Sequence, residues 1–114
     1  MTNGQNQPGT VIVRDDLDND RYVIEVDGEL AGFADYRIKG DRQLFVHTEI
    51  FPSFEGRGLG SQLAAQALAD VRSTGRVIVP YCPFIAAYIK RHPEYNEFVD
   101  LKVLEKVAGS SAGD

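Results

Sequence analysis

At 114 residues, with 43% hydrophobic and 25% charged side chains, the chain has the make-up of one ordinary soluble globular domain with a single core. Its 12 basic and 17 acidic residues leave a net charge of −5, which excludes a general nucleic-acid binder and suits a cationic substrate such as an amine. No apolar run approaches the roughly 20 residues of a membrane span, and the single Cys82 excludes an internal disulfide.

Residues 1–9 are polar and lack the basic and apolar parts of a secretion signal, so a cytoplasmic location is the expectation. Residues 1–9 and 105–114 read as loose tails around one domain at 10–104. Within the domain, Thr10 to Arg14 is a first strand. Arg21 to Val26 and Leu30 to Ile38 follow, joined by the hairpin turn Asp27-Gly28-Glu29. Lys39-Gly40-Asp41-Arg42 turns the chain into a fourth strand, Leu44 to Phe51. Short turns between four strands predict an antiparallel meander.

The pattern then changes to helical spacing. Leu59, Leu63, Ala64, Ala67, Leu68 and Val71 mark a helix that Ser73-Thr74-Gly75 ends. Val77-Ile78-Val79 is a short apolar run of the buried-strand type, and a right-handed crossover sets it parallel to the fourth strand. Pro83 opens a second helix with Phe84, Ile85, Tyr88 and Ile89 on its apolar face, and His92-Pro93 closes it. The predicted fold is α/β (α+β), with a mixed, mostly antiparallel sheet and two main helices.

Between the fourth strand and the first helix lies Glu55-Gly56-Arg57-Gly58-Leu59-Gly60-Ser61. Alternating glycines at such a joint expose backbone N–H groups, and the helix adds its own unpaired amides and positive dipole end. The joint therefore suits a phosphate or pyrophosphate. A mononucleotide loop requires a Lys-Ser/Thr pair that is missing here. A dinucleotide fingerprint requires a glycine where Leu63 stands and an acid near Val79 and Pro80. A short G-x-G loop beside Arg57, of the kind that cradles the pyrophosphate of coenzyme A, remains. The alternative is a turn that merely packs helix against sheet.

Three places carry reactive side chains. Alternation along the fourth strand puts Phe45, His47, Glu49 and Phe51 on one face and Leu44, Val46, Thr48 and Ile50 on the other. His47 and Glu49, roughly 7 Å apart along the strand, are candidate bases toward an ammonium group; otherwise they form a structural ion pair. Cys82, at the start of the second helix, is either a reactive thiol favoured by the helix dipole or an inert half-buried cysteine. Tyr88 is either a core tyrosine or a proton donor to a leaving thiolate. No Cys/His cluster has the spacing of a zinc site.

Together these features resemble the GNAT superfamily of acyl-CoA-dependent N-acetyltransferases. The resemblance rests on the strand ending His47-Thr48-Glu49-Ile50, the loop Glu55 to Gly60, the helix after it and the parallel strand. The segment Pro80 to Tyr95, with its Cys82-Pro83 turn and its His92-Pro93-Glu94-Tyr95 helix end, is similar to the signature of a small single-domain subgroup.

The resemblance implies a minimal GNAT-like fold, with acetyl-CoA lying where the fourth and fifth strands splay apart, between Thr48–Phe51 and Val77–Pro80. The backbone of Gly56 to Gly60, with Arg57 and Ser61, would bind the pyrophosphate. Ile50, Phe51, Leu59, Cys82 and Pro83 would line the path of the cofactor. Glu49, with His47, would be the base, Tyr88 the acid, and Cys82 would sit near the acyl group. An amine acceptor, small molecule or protein, is the implied partner.

Three departures from the family pattern stand out. Glu55 is acidic where the loop usually begins with Gln or Arg. The chain is too short for the helical pair that usually follows the first strand, and it lacks the closing hairpin. The acceptor side is thus open. Either the acceptor is large, or a partner completes the pocket, or the protein binds coenzyme A and transfers little. A second chemical scheme passes the acyl group through Cys82 as a thioester. No residue pattern specifies an oligomeric state.

Overall fold

A computed structural model of the chain describes residues 9–109. Five strands, β1 (Val11–Asp16), β2 (Arg21–Val26), β3 (Glu29–Lys39), β4 (Arg42–Ile50) and β5 (Val77–Pro80), form one sheet in chain order. The first three joints are antiparallel and the last is parallel, as the meander and crossover predict. Helix α1 (Leu59–Thr74) makes the crossover, and α2 (Pro83–Arg91) follows β5. The tails expected at either end fall outside the described residues apart from Gly9 and 105–109.

Local chemistry explains most boundaries. Asp27 and Gly28 both have positive φ, 53° and 83°, which makes the hairpin a tight two-residue turn and frees Glu29 to pair with Val26. Strand β1 runs on through Asp15 and Asp16, poor strand formers held by Tyr22 and Arg21 across the ladder. Gly75, at φ 82°, caps α1 by donating to the Arg72 carbonyl, four residues beyond the last apolar position of the sequence pattern. Beyond α2 the chain makes a 3-10 turn at Pro93–Phe98. A third helix, α3 (Leu101–Leu104), follows and widens into a π turn through Gly109, five residues past the domain end expected at Leu104. Asp100 caps α3 by accepting from the amides of Lys102 and Val103.

One core serves the whole sheet. Leu59, Leu63, Leu68 and Val71 of α1 and Ile85 and Ile89 of α2 pack with Tyr22, Ile24, Tyr36 and Phe45 from the strands. Each buried Leu, Ile or Phe contributes about 1.5–3 kcal/mol of transfer free energy. The Tyr22 hydroxyl donates to Asp70 at 2.5 Å and the Tyr36 hydroxyl to Asp15 at 2.6 Å. Burial first, and these bonds second, push both phenols well above the usual range.

Strand β4 departs from simple alternation. Its register steps from Tyr36↔Phe45 to Asp35↔His47, leaving Val46 as an extra, bulged residue. Gln43 and Phe45 point into the core, and after the bulge Thr48 and Ile50 do so. His47 and Glu49 turn to the opposite, open face. The expected grouping of Phe45 with His47 and Glu49 is therefore wrong: an inserted residue inverts the phase of a period-two pattern.

The splay is also displaced. Val77–Pro80 is paired along its whole length with Arg42–Phe45, and the Cys82 amide adds a last bond to the Phe45 carbonyl at 2.8 Å. From Val46 onward β4 has no strand on that side. The gap thus lies between Val46–Ile50 and the start of α2, and not beside Val77–Pro80. Among the described residues no helix is long and apolar enough to cross a membrane.

Candidate active site

The loop between β4 and α1 is anchored by Phe54, buried in a single 3-10 turn that begins at Pro52. Past that anchor, Gly56 and Gly58 adopt φ of 83° and 74°, a region open to glycine. Nothing lies within 4 Å of where a Cβ would project at either position. No side chain caps α1, and its first internal bond runs from the Gln62 amide to the Gly58 carbonyl. The amides of Leu59, Gly60 and Ser61 are therefore left without an acceptor among the described residues.

Those three residues line an open-mouthed cavity of about 250 Å³, together with Ile50, Phe54, Glu55, Gly56, Gly58 and Phe84. Six of the residues expected along the cofactor path thus meet at one hollow: Ile50, Gly56, Gly58, Leu59, Gly60 and Ser61. Phe51, Arg57, Cys82 and Pro83 are not in its wall. The Arg57 guanidinium sits 5.3 Å from the Phe54 ring centroid, and the residue borders a separate hollow with Val11, Val26 and Gln62. Glu55 is exposed at the rim.

Sequence reasoning missed Phe54 and Phe84. Phe84 was read as part of the apolar face of α2, yet it is 39% exposed and forms a wall of the cavity. The available signal was Gly60, where a Cβ would meet the Phe84 ring at 2.8 Å.

On the open face, His47 Nε2 and Glu49 Oε1 approach to 3.4 Å, with side chains 58% and 47% exposed. Phe33 lies beside them, its ring centroid 5.9 Å from that of His47 and 6.0 Å from that of Phe51. Across the sheet, Arg21 pairs with Asp35 at 2.8 Å and lies over Phe33 at 3.9 Å. Among the described residues no helix or loop covers the His47–Glu49 pair.

Cys82 occupies the N-cap position of α2 and is 3% exposed. Its thiol donates to Thr48 Oγ1 at 3.3 Å, a contact that exists because the bulge turns Thr48 inward. His47 and Glu49 thus stand on one side of β4 and Cys82 on the other. Tyr88 is six residues further along α2, about 9 Å down its axis at 1.5 Å per residue. It is 7% exposed, and its hydroxyl bonds to no described residue. Burial, with smaller contributions from Tyr95 and Glu94, raises its pKa, so the phenol stays protonated.

A family model described as GCN5-related N-acetyl-transferase matches residues 21–98. An NMR solution structure of a GCN5-like protein from Staphylococcus aureus aligns with a TM-score of 0.60 at 16% identity. The alignment covers 77% of this chain and 86% of that one, a likeness of fold. No curated protein matches.

Proposed function

The chain belongs to the GCN5-related N-acetyl-transferase family, and we propose that it moves an acyl group from acetyl-CoA to an amine at the gap between β4 and α2. One observation carries the reading. The uncapped start of α1 opens onto a cavity beside an unpaired strand edge, so a pyrophosphate and an extended arm can be held together. Acetyl-CoA bound there supplies an activated acyl thioester. The residues present fit it, because the donors it requires have no partner among the described residues.

The amides of Leu59, Gly60 and Ser61 bind the pyrophosphate, and Gly56 and Gly58 keep the approach free of side chains. Arg57 adds charge from the rim. The free edge of Val46–Ile50 orients the arm and polarises the acyl carbonyl through a backbone N–H. Glu49, held by His47, takes a proton from the incoming ammonium group. The freed nitrogen lone pair forms the N–C bond, the C–S bond breaks, Tyr88 Oη protonates the sulfur, and the surplus proton left on the nitrogen passes through solvent to the Tyr88 phenolate.

Burial of Cys82 and its bond to Thr48 favour this direct transfer over a thioester on the thiol. The exposure of His47 and Glu49 favours a bulky acceptor, a protein amine, over a small molecule. The test pairs calorimetry with an acetylation assay over amines, peptides and small proteins. Glu49→Gln is expected to lower kcat about 100-fold with acetyl-CoA affinity unchanged. A fully active variant would remove Glu49 from the role of base. Tight binding with no transfer to any acceptor would make the protein a coenzyme A-binding module.

A further inference from the structure

We propose that His92 is a positioning residue for Tyr88, fixing the phenol in the rotamer that presents its hydroxyl to the sulfur of coenzyme A. The inference rests on the reading of Tyr88 given above. It assigns a purpose to the His92-Pro93-Glu94 turn at the end of α2, which the transfer scheme leaves unused.

The turn follows from its sequence. A residue before proline is driven out of helical geometry, and His92 takes φ −133° and ψ 70° as the C-cap of α2. It lies four residues after Tyr88, hence on the same face of the helix. Released from the helix at that point, the imidazole folds back flat onto the phenol ring. The centroids are 4.1 Å apart and the planes 22° from parallel. The other aromatic pairs of the described residues have centroids between 5.3 and 6.3 Å apart. Glu94 Oε2 lies 3.7 Å from Nδ1 of the imidazole.

Tyr88 has particular use for such a clamp. Tyr22 and Tyr36 are fixed by hydrogen bonds from their hydroxyls. The Tyr88 hydroxyl has no bond to a described residue, so among those residues packing alone sets the direction in which it points. An acid must lie within hydrogen-bond reach of the atom it protonates, and a small misplacement costs much of the rate.

The experiment is an NMR titration with coenzyme A itself, following the 13Cζ resonance of Tyr88, assigned through Tyr88→Phe. In the wild type, coenzyme A is expected to shift that resonance saturably. In His92→Ala, coenzyme A should bind within about twofold of the wild-type affinity while the Tyr88 shift falls at least threefold. His92→Phe, which keeps a flat ring, should restore the shift, and His92→Gln should not. The Phe and Gln variants decide the matter if His92→Ala does not fold. An undiminished shift in His92→Ala or His92→Gln overturns the role of His92 alone. Binding that leaves Tyr88 unshifted in the wild type overturns the assignment of Tyr88 as the acid, and the present inference with it.

Discussion

Tyr22 and Tyr36, under the sheet, and Tyr88, on α2, are all buried, but only the first two spend their hydroxyls on a protein partner. The helix starts repeat the contrast. Asp100 caps α3 with two bonds, whereas α1 begins at Gly58 with no cap. Strands β2 and β3 are bonded on both sides along their length, whereas β4 leaves β5 halfway. Among the described residues, the unmet amides at the start of α1, the free half of the β4 edge and the Tyr88 hydroxyl lie on β4, α1 and α2, and leaving such groups unmet costs stability. We read such a region, in a fold that makes those bonds elsewhere, as organised to make them with a ligand. Tyr95 marks the boundary of the rule. It is buried and its hydroxyl bonds to no described residue, but it lies in the 3-10 turn beyond α2, outside the β4–α1–α2 junction.

Exchanging Tyr for Phe in both regions should break the comparison most visibly. Tyr88→Phe is expected to lower kcat about 100-fold with an unchanged urea midpoint. Tyr22→Phe should keep kcat and lose about 1 kcal/mol of stability as Asp70 loses its donor, while Tyr95→Phe should change neither. Equal behaviour of Tyr22→Phe and Tyr88→Phe would dissolve the distinction between the regions.

A matched glycine pair sharpens it. Gly58 and Gly75 have similar φ, 74° and 82°, with free space around each. Alanine at either position should cost about 1–2 kcal/mol from left-handed strain. Only Gly58→Ala should weaken acetyl-CoA binding, by roughly tenfold for a methyl placed beside the cradle, as read by calorimetry.

The smallest effect belongs to the capped helix. Asp100→Ala should lose about 1 kcal/mol from the cap of α3 and leave acetyl-CoA binding intact. The bond from Arg42 holds the Asp100 carboxyl below its usual 3.8. Its contribution is thus fully present above about pH 4 and is lost as the pH falls through the depressed folded value. The wild type and Asp100→Ala should accordingly converge in stability on acidification, measured by denaturant midpoints between pH 6 and 2.

Much of this organisation was legible in the chain. Turn residues at Asp27-Gly28 and Lys39-Gly40, period-two strands and the spacing from Leu59 to Val71 fix the meander and the crossover. The alternating glycines mark the phosphate loop. The bulge at Val46 left no trace, because one extra residue is decided by how β3 and β4 pair and not by β4 alone. For the same reason the inward turn of Thr48 toward Cys82 went unseen, and the gap was placed beside a strand that is fully paired. Residues 101–109 carry weak periodicity and become helical through the Asp100 cap and packing of Leu104 into the core.

The central claim is that the unmet amides at the start of α1 await a pyrophosphate. A 15N–1H NMR titration with acetyl-CoA tests it most directly. The account predicts saturable shifts for Gly56 to Ser61 and along Val46–Ile50, with β1 and β2 undisturbed. Amides of Leu59, Gly60 and Ser61 that stay unmoved at millimolar acetyl-CoA would contradict it.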